Sequence, residues 1–586
     1  MAKSLHRPVA RVRRVVLPLL AAAAMSACTH LSTRPATPAT GTATPNGAVI
    51  VKPQPLTPSE TRESDLMYDV LAGEMAGQSG DLTLAAESYL KAARLSDDPD
   101  VAERGLRIAL FAKNEAAALE LAQRWVQLAP DNPQAHEALA VLSLRAGKTA
   151  DAGDQLVRFV ASASDKTAAF AAVTELLSHE PDRQAALAVM KTLADANPKV
   201  PDAHLAYARL ALQAGKRRLS LSQVQRAIAL RPNWTDAEIL RAQVRSDMGE
   251  LGTASRELGA AVKRRPKDLD LRMAYARVLV RAGDLKSAQR EFEVLARQAP
   301  GNADVQYSLG LLALEARRLD AARRYFRKVL DLGERQDEAR YYLGRIAEEQ
   351  NKLNTAKDWY SRVNEGEYWL DAQVRVAQIA AREGRVAEAR RQLATLRKDH
   401  PQAAVQLYAV EGEMLSQVGR NRQALDVYNH ALKDHPDNTD LLYGRSLVAD
   451  KLGKLKLAER DLRAIIKQQP DNAVALNALG YTLADRTTRY AEALVYIKKA
   501  IKLKPNDPAV IDSLGWVQYR LGNTAAALKA LHRAYKMSGD AEIAAHLGEV
   551  LWTAGHHDEA RAVWRKALKA HPDSAALKRV IDRFKP

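Results

Sequence analysis

The sequence holds a single cysteine, Cys28, so neither an intramolecular disulfide nor a cysteine-rich metal site can form. Aromatic residues make up only 5% of a chain that is 47% hydrophobic. That balance disfavours β-sandwiches and suits Ala- and Leu-rich helices. H-E-x-x-H, G-x-S-x-G and G-x-G-x-x-G are all missing, which removes the zincin, hydrolase and dinucleotide-binding readings. Gly147-Lys148-Thr149 echoes the end of a phosphate loop, but Leu142 stands where that loop needs its first glycine. His556-His557-Asp558 has no further ligand at helical spacing. We therefore expect no catalytic residue, no metal, no cofactor and no small-molecule substrate. Long apolar runs are scarce too. Val15 to Ala24 spans ten residues, too few for a permanent transmembrane helix. Acidic residues are in deficit, 70 against 87 basic, for a formal net charge of +17. Such a charge ordinarily puts nucleic acid first among partners.

The N-terminus argues against nucleic acid. Lys3, Arg7, Arg11, Arg13 and Arg14 precede the apolar run, and Met25-Ser26-Ala27-Cys28 follows it. This is the layout of a secretory signal. Small residues directly before a lone Cys resemble the bacterial lipobox, which implies cleavage after Ala27 and acylation at Cys28. Three acyl chains would exceed the two signals that stable anchoring needs. Lipoproteins of this kind commonly carry Asp after the cysteine for inner-membrane retention. Thr29 stands there, so the expected location is the outer membrane, facing the periplasm, with no nucleic acid in reach. Residues 28–62 form a Thr/Pro-rich tether with no helical periodicity.

From residue 63 the chain becomes periodic. Prolines 198, 232, 266 and 300 are each 34 residues apart, and prolines 401, 436, 470 and 505 keep the same rhythm. Glycines such as Gly249, Gly283, Gly453 and Gly555 recur in phase, each followed five positions later by a small residue (Ala254, Ala288, Ala458, Ala560). In Asp540–Asp573, Leu547-Gly548, Ala560, Trp564, Ala567 and Pro572 give large-small, small, aromatic, small, Pro over 34 residues. That is the tetratricopeptide pattern of paired helices. One hairpin cannot bury its own apolar face, so neighbours are required. The expected fold is all-α: a right-handed α-solenoid of about fifteen hairpins over 63–573, with a capping helix in 574–586. The hairpins from Asp98 and Asp165, which lack the turn glycine, should be the weakest. Thr487-Thr488-Arg489-Tyr490 should lengthen one turn by a residue, and the Gly366 segment should bend the array. The array leaves no residues for a separate globular domain.

Function should then lie on the inner wall formed by the first helix of each hairpin. Counting back from the small residue of each hairpin places Asn477, Tyr481, Asp512, Trp516, Tyr519, Arg520, His546, Glu549 and Trp552 there, with Tyr307, Tyr341, Arg345, Arg277 and Arg281 further in. Aromatics and arginines are the commonest interface anchors.

Three stretches are more distinctive: LNALGYTLADRT from Leu476, IDSLGWVQYRLGN from Ile511 and AAHLGEVLW from Ala544. With the lipobox, tether and length, they resemble the LbcA family of outer-membrane repeat lipoproteins. The resemblance implies an adaptor that binds a periplasmic carboxyl-terminal processing protease, a serine protease, and presents peptidoglycan hydrolases to it. It gives no residue-by-residue contacts. A structural role in an envelope export or pilus machine is the alternative.

Overall fold

The computed structural model describes residues 57–585. The signal segment, Cys28 and most of the tether lie outside the described residues. Among the described residues every regular element is a helix, and the helices gather into two compact units that part after Pro130.

The first unit contains α1 (Pro58–Ser79), α2 (Leu82–Leu95), α3 (Pro99–Phe111) and α4 (Glu115–Leu128). The second opens with α5 (Pro133–Arg145), α6 (Thr149–Ser162), α7 (Lys166–Ser178), α8 (Arg183–Ala196), α9 (Pro201–Gln213) and α10 (Arg217–Leu230). Next come α11 (Thr235–Asp247), α12 (Leu251–Arg264), α13 (Leu269–Arg281), α14 (Leu285–Gln298), α15 (Ala303–Glu315) and α16 (Leu319–Leu332). The middle continues through α17 (Gln336–Glu349), α18 (Leu353–Ser361), α19 (Trp369–Arg382), α20 (Val386–Asp399), α21 (Ala404–Gln417) and α22 (Asn421–Asp434). The last stretch comprises α23 (Thr439–Lys451), α24 (Leu455–Gln468), α25 (Ala473–Arg486), α26 (Tyr490–Leu503), α27 (Pro508–Arg520) and α28 (Thr524–Ser538). It closes with α29 (Ala541–Thr553), α30 (His557–Ala570) and α31 (Ala575–Phe584). Thirty helices alternate as fifteen first and fifteen second helices; fourteen of these couples pack together, α7 and α8 being the exception, and α31 caps the last.

Local chemistry sets the boundaries. Asn302, Asn472, Asp507 and Asp540 each accept a hydrogen bond from a first-turn N–H of the helix they precede. Prolines 232, 266, 470 and 572 each stand two residues beyond a second helix, where no further helical N–H is available. The turn glycines adopt the left-handed conformation, as at Gly555 with φ +86°. Small residues at the crossing points, Ala254, Ala288, Ala458 and Ala560, are fully buried. Gly548 shows why size matters there. A Cβ on it would lie 2.0 Å from Trp564 Nε1, so the aromatic ring occupies space that only glycine leaves free.

Departures have equally local causes. α1 begins at Pro58 because Thr57 and Glu60 form a reciprocal capping box, so the last residues of the stretch read as tether are helical. Lys113 takes the left-handed conformation that glycine takes elsewhere (φ +55°), and the hairpin from Asp98 packs as the others do. The turn through Pro181 has no left-handed residue. There α8 packs on α6 and α7 on α9, in place of α7 against α8. The extra residue near Thr487 enters α25, which runs fourteen residues, and the turn is not lengthened. Thr487 substitutes for glycine with an extended backbone (φ −138°), its hydroxyl donating to Leu483 O and accepting from Arg489 N–H. Near Gly366, α18 is cut to nine residues.

Candidate functional site

Three consecutive first helices, α25, α27 and α29, place a large side chain directly after the glycine that meets the paired second helix: Gly480-Tyr481, Gly515-Trp516 and Gly548-Glu549. One residue turns a helix by about 100°, so each of these side chains swings off its own hairpin. Tyr481 and Trp516 swing toward neighbouring first helices. His546 links them. Its Nδ1 lies 3.0 Å from Asp512 Oδ2, its Nε2 lies 3.4 Å from the Tyr481 hydroxyl, and its ring stacks on Trp516 at 4.3 Å. Tyr519 extends the aromatic run, 5.3 Å from Trp516.

This cluster is largely interior. Trp516 is 5% exposed, Asp512 6% and His546 9%. Burial alone would lower the His546 pKa. The charge and hydrogen bond of Asp512 outweigh it, Glu542 and Asp485 add to them, and the net shift is upward. The Tyr481 hydroxyl is pushed far above its ordinary value by burial first, then by the carboxylates of Asp485, Glu542 and Asp512. Of the seven buried side-chain polar atoms without a hydrogen-bond partner among the described residues, two lie on α25 and α27: Asn477 Oδ1 and Trp516 Nε1.

The other residues expected on the wall disperse. Arg520 donates to the Tyr490 hydroxyl at 2.7 Å and covers that ring, which ties it to the preceding hairpin. Glu549 accepts from Arg583 of α31 at 2.7 Å, and Trp552 lies between His557, Trp564 and Phe584. Both therefore serve the cap. Tyr307 and Tyr341 belong to a separate aromatic cluster with Phe326, Tyr342 and Tyr368. Tyr341 donates to Asp371; burial first, then that bond, pushes its pKa up to about 12. Arg345 is exposed above Tyr342, whereas Arg277 and Arg281 pair with Asp304 and Asp247.

Trp516, Asp512, His546, Glu549 and Tyr341 are thus buried supports, because the direction that faces inward also faces the next first helix. Partly buried Asn477, Tyr481, Tyr519, Arg520 and Trp552, with exposed Arg345, keep the surface that a partner could touch. Asp485 and Glu542, which set the charge around His546, escaped sequence reasoning; no spacing rule marks them. His556 precedes α30 and His557 opens it against Trp552, and no group of three or more His, Cys, Asp or Glu among the described residues could hold a metal ion.

Comparison with known families follows the same register. Tetratricopeptide repeats match residues 307–366, 410–462, 446–508 and 513–575, and a related tetratricopeptide pattern matches 247–312. Tetratricopeptide repeats thus run through residues 247–366, 410–508 and 513–575. It is 47% identical over 190 residues to a TPR repeat-containing protein of Pseudomonas aeruginosa, covering 32% of each chain. It is 26% identical over 175 residues to human protein O-mannosyl-transferase TMTC1, covering 28% of this chain and 19% of that one. The matched part is thus less than two thirds of the length of either relative. A thermophilic TPR protein of Thermus thermophilus is 25% identical with a TM-score of 0.29, over 31% of this chain and 100% of its own.

Proposed function

We propose that this protein is a non-enzymatic scaffold, held in the outer membrane by acyl chains on Cys28 and facing the periplasm. It binds proteins along its first helices. The partners we assign are a carboxyl-terminal processing serine protease and the peptidoglycan hydrolases that protease degrades. The observation that carries the scaffold reading is the arrangement along α25–α29: partly buried Tyr481, Tyr519, Arg520 and Trp552, each keeping some solvent-facing surface, backed by a packed layer. Aromatics and arginine fixed in this way bind at little entropic cost. The Ser26-Ala27-Cys28 sequence supports the anchor, and the three distinctive stretches from Leu476 to Trp552 support the partners. Holding protease and substrate on one tethered surface raises their effective concentration to the millimolar range without any chemistry in the scaffold. The test is affinity purification from detergent-solubilised envelopes. Recovery of a serine protease with cell-wall hydrolases is expected; recovery of a secretion channel instead would reject the assignment.

A further inference from the structure

The second unit segregates charge by helix. Its thirteen second helices carry 37 Lys and Arg against 18 Asp and Glu, whereas its thirteen first helices carry 16 against 22. Within that basic face one column stands out. Lys398, Lys433, Lys467, Lys502, Lys536 and Lys569 occupy the last turn of α20, α22, α24, α26, α28 and α30. All six are exposed, and none enters an ion pair or side-chain hydrogen bond among the described residues. Some basic neighbours on the same helices are paired, Arg397 with Glu411, Arg463 with Glu492, Lys499 with Asp471 and Arg561 with Asp558, while others such as Lys498, Lys529, Arg565 and Lys566 add to the unpaired positive charge of the face.

A lysine near a helix C-terminus complements the helix dipole, and that accounts for one such residue per helix. It does not account for the apolar side chains beside the column. Leu503 and Met537 directly follow Lys502 and Lys536 and are 41% and 45% exposed, and Val495 on α26 is 66% exposed. Nor does it account for the uniform choice of lysine. Arginine would offer a planar fork for one defined carboxylate or phosphate, whereas lysine is a hydrated point charge suited to a diffuse field.

We propose that the second-helix face of α20–α30 rests on the surface of an anionic phospholipid bilayer. The lysines meet the phosphate plane, and Leu503, Met537 and Val495 reach the headgroup boundary. Peripheral binding of this kind scales with both contributions, anionic attraction and buried apolar area. A soluble polyanion satisfies only the first. The arrangement leaves the first helices, on the other side of each hairpin, clear of the membrane. It depends on neither the anchor nor the partners assigned above, because it concerns which lipid the face prefers.

The experiment is amine-reactive footprinting of the full-length protein read by mass spectrometry, with the turn lysines Lys148 and Lys216 as internal references. On vesicles containing about one-third phosphatidylglycerol, the six lysines should react about threefold more slowly than on pure phosphatidylcholine, and about 1 M salt should restore the rate. The combined variant Lys467→Gln, Lys502→Gln, Lys536→Gln, Lys569→Gln changes only exposed positions. It should abolish the protection of Lys398 and Lys433 as well. Equal rates on the two vesicle types would overturn the proposal. So would protection by soluble polyphosphate without protection on anionic vesicles, which would assign the face to a soluble polyanion.

Discussion

Trp516 carries two properties that usually exclude each other: it is core, and its indole N–H has no acceptor among the described residues. Removing the ring should cost about 3–5 kcal/mol, through lost burial and the cavity left under His546. Trp516→Phe keeps much of the apolar ring while deleting the unsatisfied donor, so its cost should fall well below that of Trp516→Ala, since an unpaired buried N–H is itself destabilising. Urea unfolding followed by circular dichroism ranks the two, and equal losses would show that the indole nitrogen is immaterial. His546 makes a prediction in pH. Its pKa is raised in the folded state, so its contribution is complete below the ordinary histidine value near 6.5 and is lost as pH rises through the elevated one. The unmodified chain should therefore melt lower at about pH 9 than at about pH 6 by a margin that His546→Asn reduces. An identical margin in the variant would show that the Asp512 pair is not the source. In the sequence, Trp516 and His546 are legible as first-helix residues. Their burial is not, because a helical wheel gives a direction and does not say whether solvent or another helix lies there.

Helix boundaries and pairing were mostly open to sequence reading, since Asn, Asp, Pro and Gly fix them through caps, missing N–H groups and left-handed turns. What escaped were the turns with no glycine. Lys113, Arg317 and Asn351 adopt the left-handed conformation at φ +55° to +57°, a cost that packing of the flanking helices offsets and that no residue code announces. At Pro181 nothing adopts it, and α8 shifts to another partner. The cap α31 is an element whose role can be isolated. Leu577 is fully buried, and Phe584 lies about 6 Å from both Trp552 and Trp564. Leu577→Ala should cost about 2–5 kcal/mol. Because each repeat contacts mainly its neighbours, the loss should stay local. Hydrogen exchange should quicken in α29–α31 and stay unchanged in α9–α12; uniform quickening would refute that locality.

For the molecule as a whole, the decisive residue lies outside the described region. Cys28→Ser should move the protein from the membrane fraction to the soluble one if acyl chains alone hold it, whereas persistence there at low salt and release at high salt would point to the lysine-bearing face. Within each unit, helices pack on partners one or two places along the chain, and the Tyr481–His546 contact, across 65 residues, reaches furthest among the side-chain hydrogen bonds described. The mechanical consequence is direct. A pull on the two ends meets resistance one hairpin at a time, so the protein should lengthen in small steps like an unzipping spring, and the Tyr481–Asp512–His546 clasp should make the last three hairpins let go together.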